Sequence, residues 1–315
     1  MTTEAMSDAP LDPPASAPSA LSPTRPLYWS MRRELWENRS IFIAPLIASG
    51  VVLLGFLVSA IGMPHRRLAT LALPPDQRAA VVAMPYDSAA TAMILTMVAV
   101  AVFYCLGALH DERRDRSILF WKSLPVSDLQ TVLAKALTPL AVMPLVFFPI
   151  IIATQLAILL LSAIILMLSG VPPTAPGMFP AALAAPVVLS YGLVTLSLWL
   201  APIYGWLMLV GAWARRAPLL WAVLPPLALG AFEKLAFNST HFLHLLGNRI
   251  SGSYAAAFVV HTHDELKARG GTPSLGLADI DIGKFLSSPG LWLGLIVAVG
   301  FFAGAVWLRR RREPS

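Results

Sequence analysis

The stretch PLAVMPLVFFPIIIATQLAILLLSAIILML, residues 139–168, decides the architecture, because not one of its side chains is charged. A helix needs about 20 apolar residues to cross a ~30 Å hydrocarbon core, so this run is long enough to span a membrane with residues to spare. Pro139, Pro144 and Pro149 punctuate it. Membrane helices tolerate proline where neighbouring helices re-satisfy the carbonyls it frees. The excess length leaves open a kinked start, a start lying along the interface, or a division into two spans.

Five further apolar blocks flank it, at about 41–61, 89–109, 181–212, 218–236 and 290–308. The chain is 57% hydrophobic and 13% charged, against about 25% charged in soluble domains. A water-soluble fold cannot hide so much apolar surface. The expected fold class is an all-α integral membrane protein with about six transmembrane helices. The 181–212 block, with Pro186 and Pro202, raises the same question of division as 139–168.

The net charge of +6 is explained by orientation in a membrane, without a nucleic-acid partner. Arg25, Arg32, Arg33, Arg39, Arg113, Arg114, Arg116, Lys122, Lys135, Arg215, Arg216 and Arg309 to Arg312 all fall on one side of a six-span scheme. The excess of Lys and Arg on cytoplasmic segments then predicts both termini in the cytoplasm. Arg66, Arg67 and Arg78, in the expected first outer loop, run against this pattern. Residues 1–25, proline-rich and without an apolar core, are expected to be a disordered cytoplasmic tail rather than a signal peptide. The single Cys105 excludes an intrachain disulfide and a CxxC metal motif.

Four segments carry chemistry worth weighing. In HDERRDRSILFWKSLPVSDLQTVLAKAL, residues 110–137, Glu112 with Arg116 and Asp111 with Arg114 have helical pair spacing. An apolar run Ile118, Leu119, Phe120, Trp121 follows, then Lys122 and Leu124-Pro125, where proline disfavours helix. Ser127 and Gln130 have capping-box spacing for a new helix leading into the third span. Such a loop presents Phe120, Trp121 and Leu124 to a protein partner; the plainer alternative is a basic loop whose aromatics rest among headgroups.

In PLYWSMRRELWENRS, residues 26–40, Leu27, Met31 and Leu35 share a face, while Trp29, Trp36, Arg32 and Arg33 suit a helix lying in the inner headgroup plane. Glu233 and Lys234, inside apolar sequence near the end of the fifth block, are candidate gate residues. The segment 237–289 is expected outside, with Phe242, Leu245, Leu246 and Ile250 marking a short amphipathic helix. Its His241, His244, His261, His263, Asp264 and Glu265 are metal-ligand types. Without HExxH or a cysteine partner, scattered loop histidines are the better account, and neither a metal site nor a catalytic residue is assigned. GxxxxGK[ST] and GxSxG are absent, so neither ATP hydrolysis nor that hydrolase chemistry is assigned to the chain.

Residues 26–312 resemble the permease subunits of ATP-binding-cassette exporters of the second exporter class, with ERRDRSILFWKSLPVSD the most specific element. The helix before span one, the structured loop between spans two and three, the six spans and an enlarged segment between spans five and six carry the likeness. The outer segment departs from it, being longer than the family's short re-entrant helices.

The resemblance implies a bacterial plasma-membrane, multi-pass permease that is not itself an enzyme. Two copies, identical or related, would pair among membrane lipids, each docking a separate ATPase that binds ATP and Mg. Ile118 to Pro125 would form the coupling contact, supported by Glu112, Arg113, Arg114, Asp115 and Arg116. Competing readings are a membrane enzyme built on the outer His and acid cluster, a non-transporting assembly protein, and a secondary transporter. The scarcity of intramembrane Asp, Glu and His weighs against the last.

Overall fold

A computed structural model describes residues 24–63, 73–114, 127–170, 178–259 and 276–311. Among them, six helices are long and apolar enough to cross a membrane, and no strand is present beyond an isolated bridge between Phe258 and Ile280. The chain is a multi-pass, all-α membrane protein.

Helix α1 (Thr24–Glu37) precedes the first span, α2 (Ser40–Ala60). Span two is α3 (Pro75–Arg114). At about 1.5 Å per residue this helix is about 60 Å long, twice the hydrocarbon thickness, and it starts well before the expected block at 89. Alanine and other good helix formers carry it through Pro85, so Arg78 lies on a helix and not in a loop.

Span three settles the question of division: it is one helical run, Asp128–Leu168. It comprises α4 (Asp128–Leu137), a π-turn (Thr138–Val142) and α5 (Met143–Leu168). Pro139 sits in the π-turn, where the wider winding absorbs its missing N–H and its ring. Ser127 and Gln130 form the capping box that their spacing predicts.

Span four, α6 (Met178–Trp213), is likewise a single helix despite Pro186 and Pro202. Span five is α7 (Pro218–Phe237). Short elements follow, α8 (His241–Ser251), α9 (Ser253–Ala257), a 3-10 turn (Leu277–Asp279) and α10 (Ile282–Ser287), before span six, α11 (Pro289–Arg311).

The bundle is organised around α6, which is 67% buried over its apolar window against 11% for α7. Between apolar helices in an apolar solvent, close packing supplies the association, and small residues permit it. A Cβ on Gly211 would stand 2.7 Å from the Leu106 carbonyl oxygen of α3, and one on Gly205 would stand 3.2 Å from the Ala298 carbonyl oxygen of α11. Met93, Met97, Ala101 and Cys105 of α3 meet Leu193, Leu200, Tyr204 and Met208 of α6 in the main core. Met143, Phe147 and Ile151 of α5 close the cluster.

Freed carbonyls are handled individually. Pro226 offers no N–H to the carbonyl of Ala222, and the Trp206 indole Nε1 of α6 donates to it instead at 3.0 Å. That bond fastens the otherwise peripheral α7 to the bundle.

Gly211→Val is expected to lower thermal stability in detergent by about 1–3 kcal/mol, the usual cost of overpacking. Gly50→Val on α2, where a Cβ meets nothing within 4 Å, is expected to change it far less in the same melting experiment.

Candidate functional site

The end of the bundle at which α1, α3, α4 and α11 converge buries a set of ionisable side chains. Glu34 is the charged residue of α1 that turns inward, 3% exposed. The Lys135 Nζ of α4, 2% exposed, donates to Glu34 Oε1 at 2.7 Å and lies 3.1 Å from Glu112 Oε1 at the end of α3. The hydroxyl of Tyr104, two helical turns before Glu112 on α3, donates to Glu34 Oε2 at 2.9 Å. Arg309, near the end of span six, donates through Nη1 to Glu112 Oε2 at 2.5 Å and through Nε to Asp128 Oδ1 at 2.8 Å. Arg33 Nη2 lies 4.0 Å from Glu112 Oε1.

Buried charge is tolerated only when it is paired and hydrogen-bonded. Here the carboxylates of Glu34, Glu112 and Asp128 meet the cations Lys135, Arg309 and Arg33. Side-chain positions follow from helical geometry. Asp128 and Lys135 are seven residues apart, two turns along one face of α4, and so address Arg309 and the Glu34–Glu112 pair from the same side.

The geometry has a mechanical meaning. Glu112 ends α3 and Asp128 begins α4, so the Arg309 guanidinium holds both feet of the intervening segment at once. Lys135 joins those feet to α1. Displacement of either foot must move α1 and span six, or strand a buried charge.

Of the residues that the sequence pattern singles out, Glu112 belongs to this network and Arg33 reaches its edge. Asp115, Arg116, Ile118, Leu119, Phe120, Trp121, Lys122, Leu124 and Pro125 lie outside the described residues, as do the side chains of Arg113 and Arg114. On α1, Trp29 and Trp36 are exposed and Arg32 stacks over both rings, at 5.3 and 5.9 Å from their centroids. Arg33 pairs with Glu37 at 2.6 Å. An exposed Trp-Arg-Trp ridge fits a headgroup layer, with the guanidinium solvated and the rings amphipathic.

Glu34, Tyr104, Asp128, Lys135 and Arg309 are the members that pattern reading does not find. Their partners are up to 197 residues away, beyond any helical repeat. The available signal was Lys135 itself, a lysine set in the apolar context VLAKALTP.

At the opposite end, Glu233 of α7 accepts from Ser239 Oγ at 2.7 Å and from the backbone N–H groups of His241 and Phe242 at 2.9 and 2.8 Å. It thereby caps the first turn of α8, where a carboxylate complements the helix dipole. Lys234 is exposed.

Helix α8 forms as its apolar spacing predicts, with Phe242 and Leu246 half-buried, but the most buried residue of that face is a charged one. Leu245 and Ile250 are exposed and Arg249 is the buried residue. Its guanidinium stacks 4.5 Å over Trp199 of α6 and donates to the Gly290 carbonyl at 3.0 Å. It occupies space that a Cβ on Gly294 would need. Burial lowers the Arg249 pKa from its ordinary value. His261, His263, Asp264 and Glu265 fall outside the described residues. Among the described residues, no group of three or more metal-ligating side chains occurs.

No family model, curated protein or solved structure matches the chain.

Lys135→Met leaves Glu34 and Glu112 without their shared cation, and is expected to cost about 3–5 kcal/mol in thermal unfolding of the purified protein. The double variant Glu34→Leu, Lys135→Met is expected to recover much of that loss, since Glu112 retains Arg309. A single variant as stable as the parent would show the network to be energetically idle.

Proposed function

We propose that the chain is the transmembrane permease subunit of an ATP-driven exporter of the ATP-binding-cassette second class, with nucleotide hydrolysis carried out by a separate ATPase chain. The observation that carries the reading is the Arg309 clamp on Glu112 and Asp128. It ties both feet of the 113–127 segment to a span, and Lys135 ties them to the headgroup-type helix α1. A loop that only linked two helices would need no buried ionic base.

In this reading Ile118 to Pro125 dock on the ATPase, and Phe120, Trp121 and Leu124 are the anchors. Closure of the ATPase moves the segment, and the rigid ionic base passes that motion to α1, α3, α4 and α11 as one body. The end bearing Arg215, Arg216 and Arg309 to Arg311 faces the cytoplasm, by the positive-inside rule, and both termini lie there. The membrane is the bacterial plasma membrane. A second copy, or a related chain, completes the translocation path. The sparsely packed α7, with Leu220, Leu224, Leu227 and Phe232 exposed along it, is the surface offered to that copy. ATP and Mg are bound by the partner, and the permease has no catalytic residue. Glu233 and Lys234 mark the outer hinge between α7 and α8, where a gate would move.

The test is co-purification with a soluble ATPase carrying a GxxxxGK[ST] loop, encoded beside this chain. The expected outcome is a stable complex that is lost when Trp121 and Leu124 are both replaced by Asp, with membrane insertion unchanged. Retention of the ATPase by that variant refutes the docking assignment. Binding without nucleotide-dependent movement of substrate would instead favour an assembly protein.

A further inference from the structure

At the end of the bundle remote from the ion network, Phe56 and Ala60 of α2, Ala89 of α3 and Ile158 of α5 form a small packed cluster. The Ser49 and Thr154 hydroxyls join α2 to α5 at 2.7 Å. Beyond that bond a cavity of about 540 Å³ opens between α2, α3 and α5. This falls within the roughly 300–1,000 Å³ range of small-molecule sites. Its wall is built at helical spacing, from Phe56, Ser59 and Ala60 on α2, from Tyr86 and Ala89 on α3, and from Ile158 and Ser162 on α5.

Three properties define what fits. Among the described residues, none that lines the cavity is charged. It lies within membrane-spanning helices, and the residues beside it on α2, Leu54 and Val58, are 67% and 66% exposed. The medium at its mouth is therefore hydrocarbon. Its polar groups are hydroxyls, and that of Tyr86 is poorly satisfied. Tyr86 Oη lies 3.5 Å from Ser162 Oγ, long for an O–H···O bond, which is usually about 2.5–3.0 Å. Gly55 adds an independent observation: it lines the cavity, yet a Cβ there would meet nothing within 4 Å. The helix leaves this wall bare where a side chain would cost no contact.

We propose that this cavity is a binding site for one acyl chain of a membrane phospholipid, with the lipid's ester carbonyl accepting a hydrogen bond from Tyr86. The chain fills the space left by Gly55 and runs along Phe56 and Ile158 toward the Ser49–Thr154 bond, which forms the floor. Neither a partner ATPase nor a second copy is needed for the site to exist.

The experiment uses the full chain in nanodiscs of phosphatidylcholine that carries a photoactivatable diazirine on one acyl chain, with adducts mapped by peptide mass spectrometry. Adducts are expected to concentrate on residues 52–63, 81–89 and 158–166. Gly55→Phe fills the cavity and is expected to lower those adducts by about ten-fold. Adducts on the exposed face of span six, at Leu293, Ile296 and Val299, serve as the internal control for folding and insertion and are expected to stay constant. Gly50→Phe, on the same helix with open space around it but outside the cavity, is expected to leave the pattern intact. Tyr86→Phe is expected to lower the yield by about three-fold, as the loss of one neutral hydrogen bond would.

Adducts spread evenly over all exposed spans, or a cavity signal indifferent to Gly55→Phe, would mean annular lipid only and would overturn the proposal. An unchanged yield in Tyr86→Phe would overturn the placement of the ester.

Discussion

A carboxylate drawn away from water must keep a cation beside it, and that constraint governs the end of the molecule where four helices meet. Glu34 and Glu112 are buried together, and like charges at that distance repel unless something stands between them. Lys135 does so, at 2.7 and 3.1 Å. Because Lys135 belongs to α4, Glu34 to α1 and Glu112 to α3, satisfying one electrostatic demand fixes the relative placement of three helices. Arg309 adds span six by the same logic. Close packing already interlocks the apolar spans; the ion network adds a directional constraint on their register.

At the other end a single cation performs a similar task by different means. Among the described residues Arg249 pairs with no carboxylate, and its charge is accommodated by the Trp199 ring and the Gly290 carbonyl. Gly294 makes room for it. The short helices between spans five and six are thus pinned to α6 and α11, while Tyr191 of α6 donates to the Ala257 and Asp281 carbonyls at 2.9 and 3.1 Å. The two ends of the bundle are held by polar contacts, and its middle is held by shape.

The six spans were legible because apolar runs near 20 residues long have few alternatives. Ser127 and Gln130 announced their helix start because a capping box is local. The extension of α3 back to Pro75 was not legible: Arg78 was expected in the first outer loop, although the helix runs through it. Helix α8 was placed correctly, but its most buried residue was not foreseen. Hydrophobic periodicity treats arginine as solvent-facing, whereas Arg249 finds its partners on spans distant in sequence. The ion network escaped for the same reason: Glu34, Lys135 and Arg309 each look like ordinary boundary charges until tertiary structure brings them together.

The part played by Arg309 also bears on how the molecule is made. A chain is synthesised from its N-terminus, so Glu34, Glu112, Asp128 and Lys135 are all in place long before Arg309 emerges. Until span six joins the bundle, Glu112 and Asp128 lack the guanidinium that holds them together. Lys135 can pair Glu34 with Glu112 before that, but the cation that joins Glu112 to Asp128 comes only with the sixth helix.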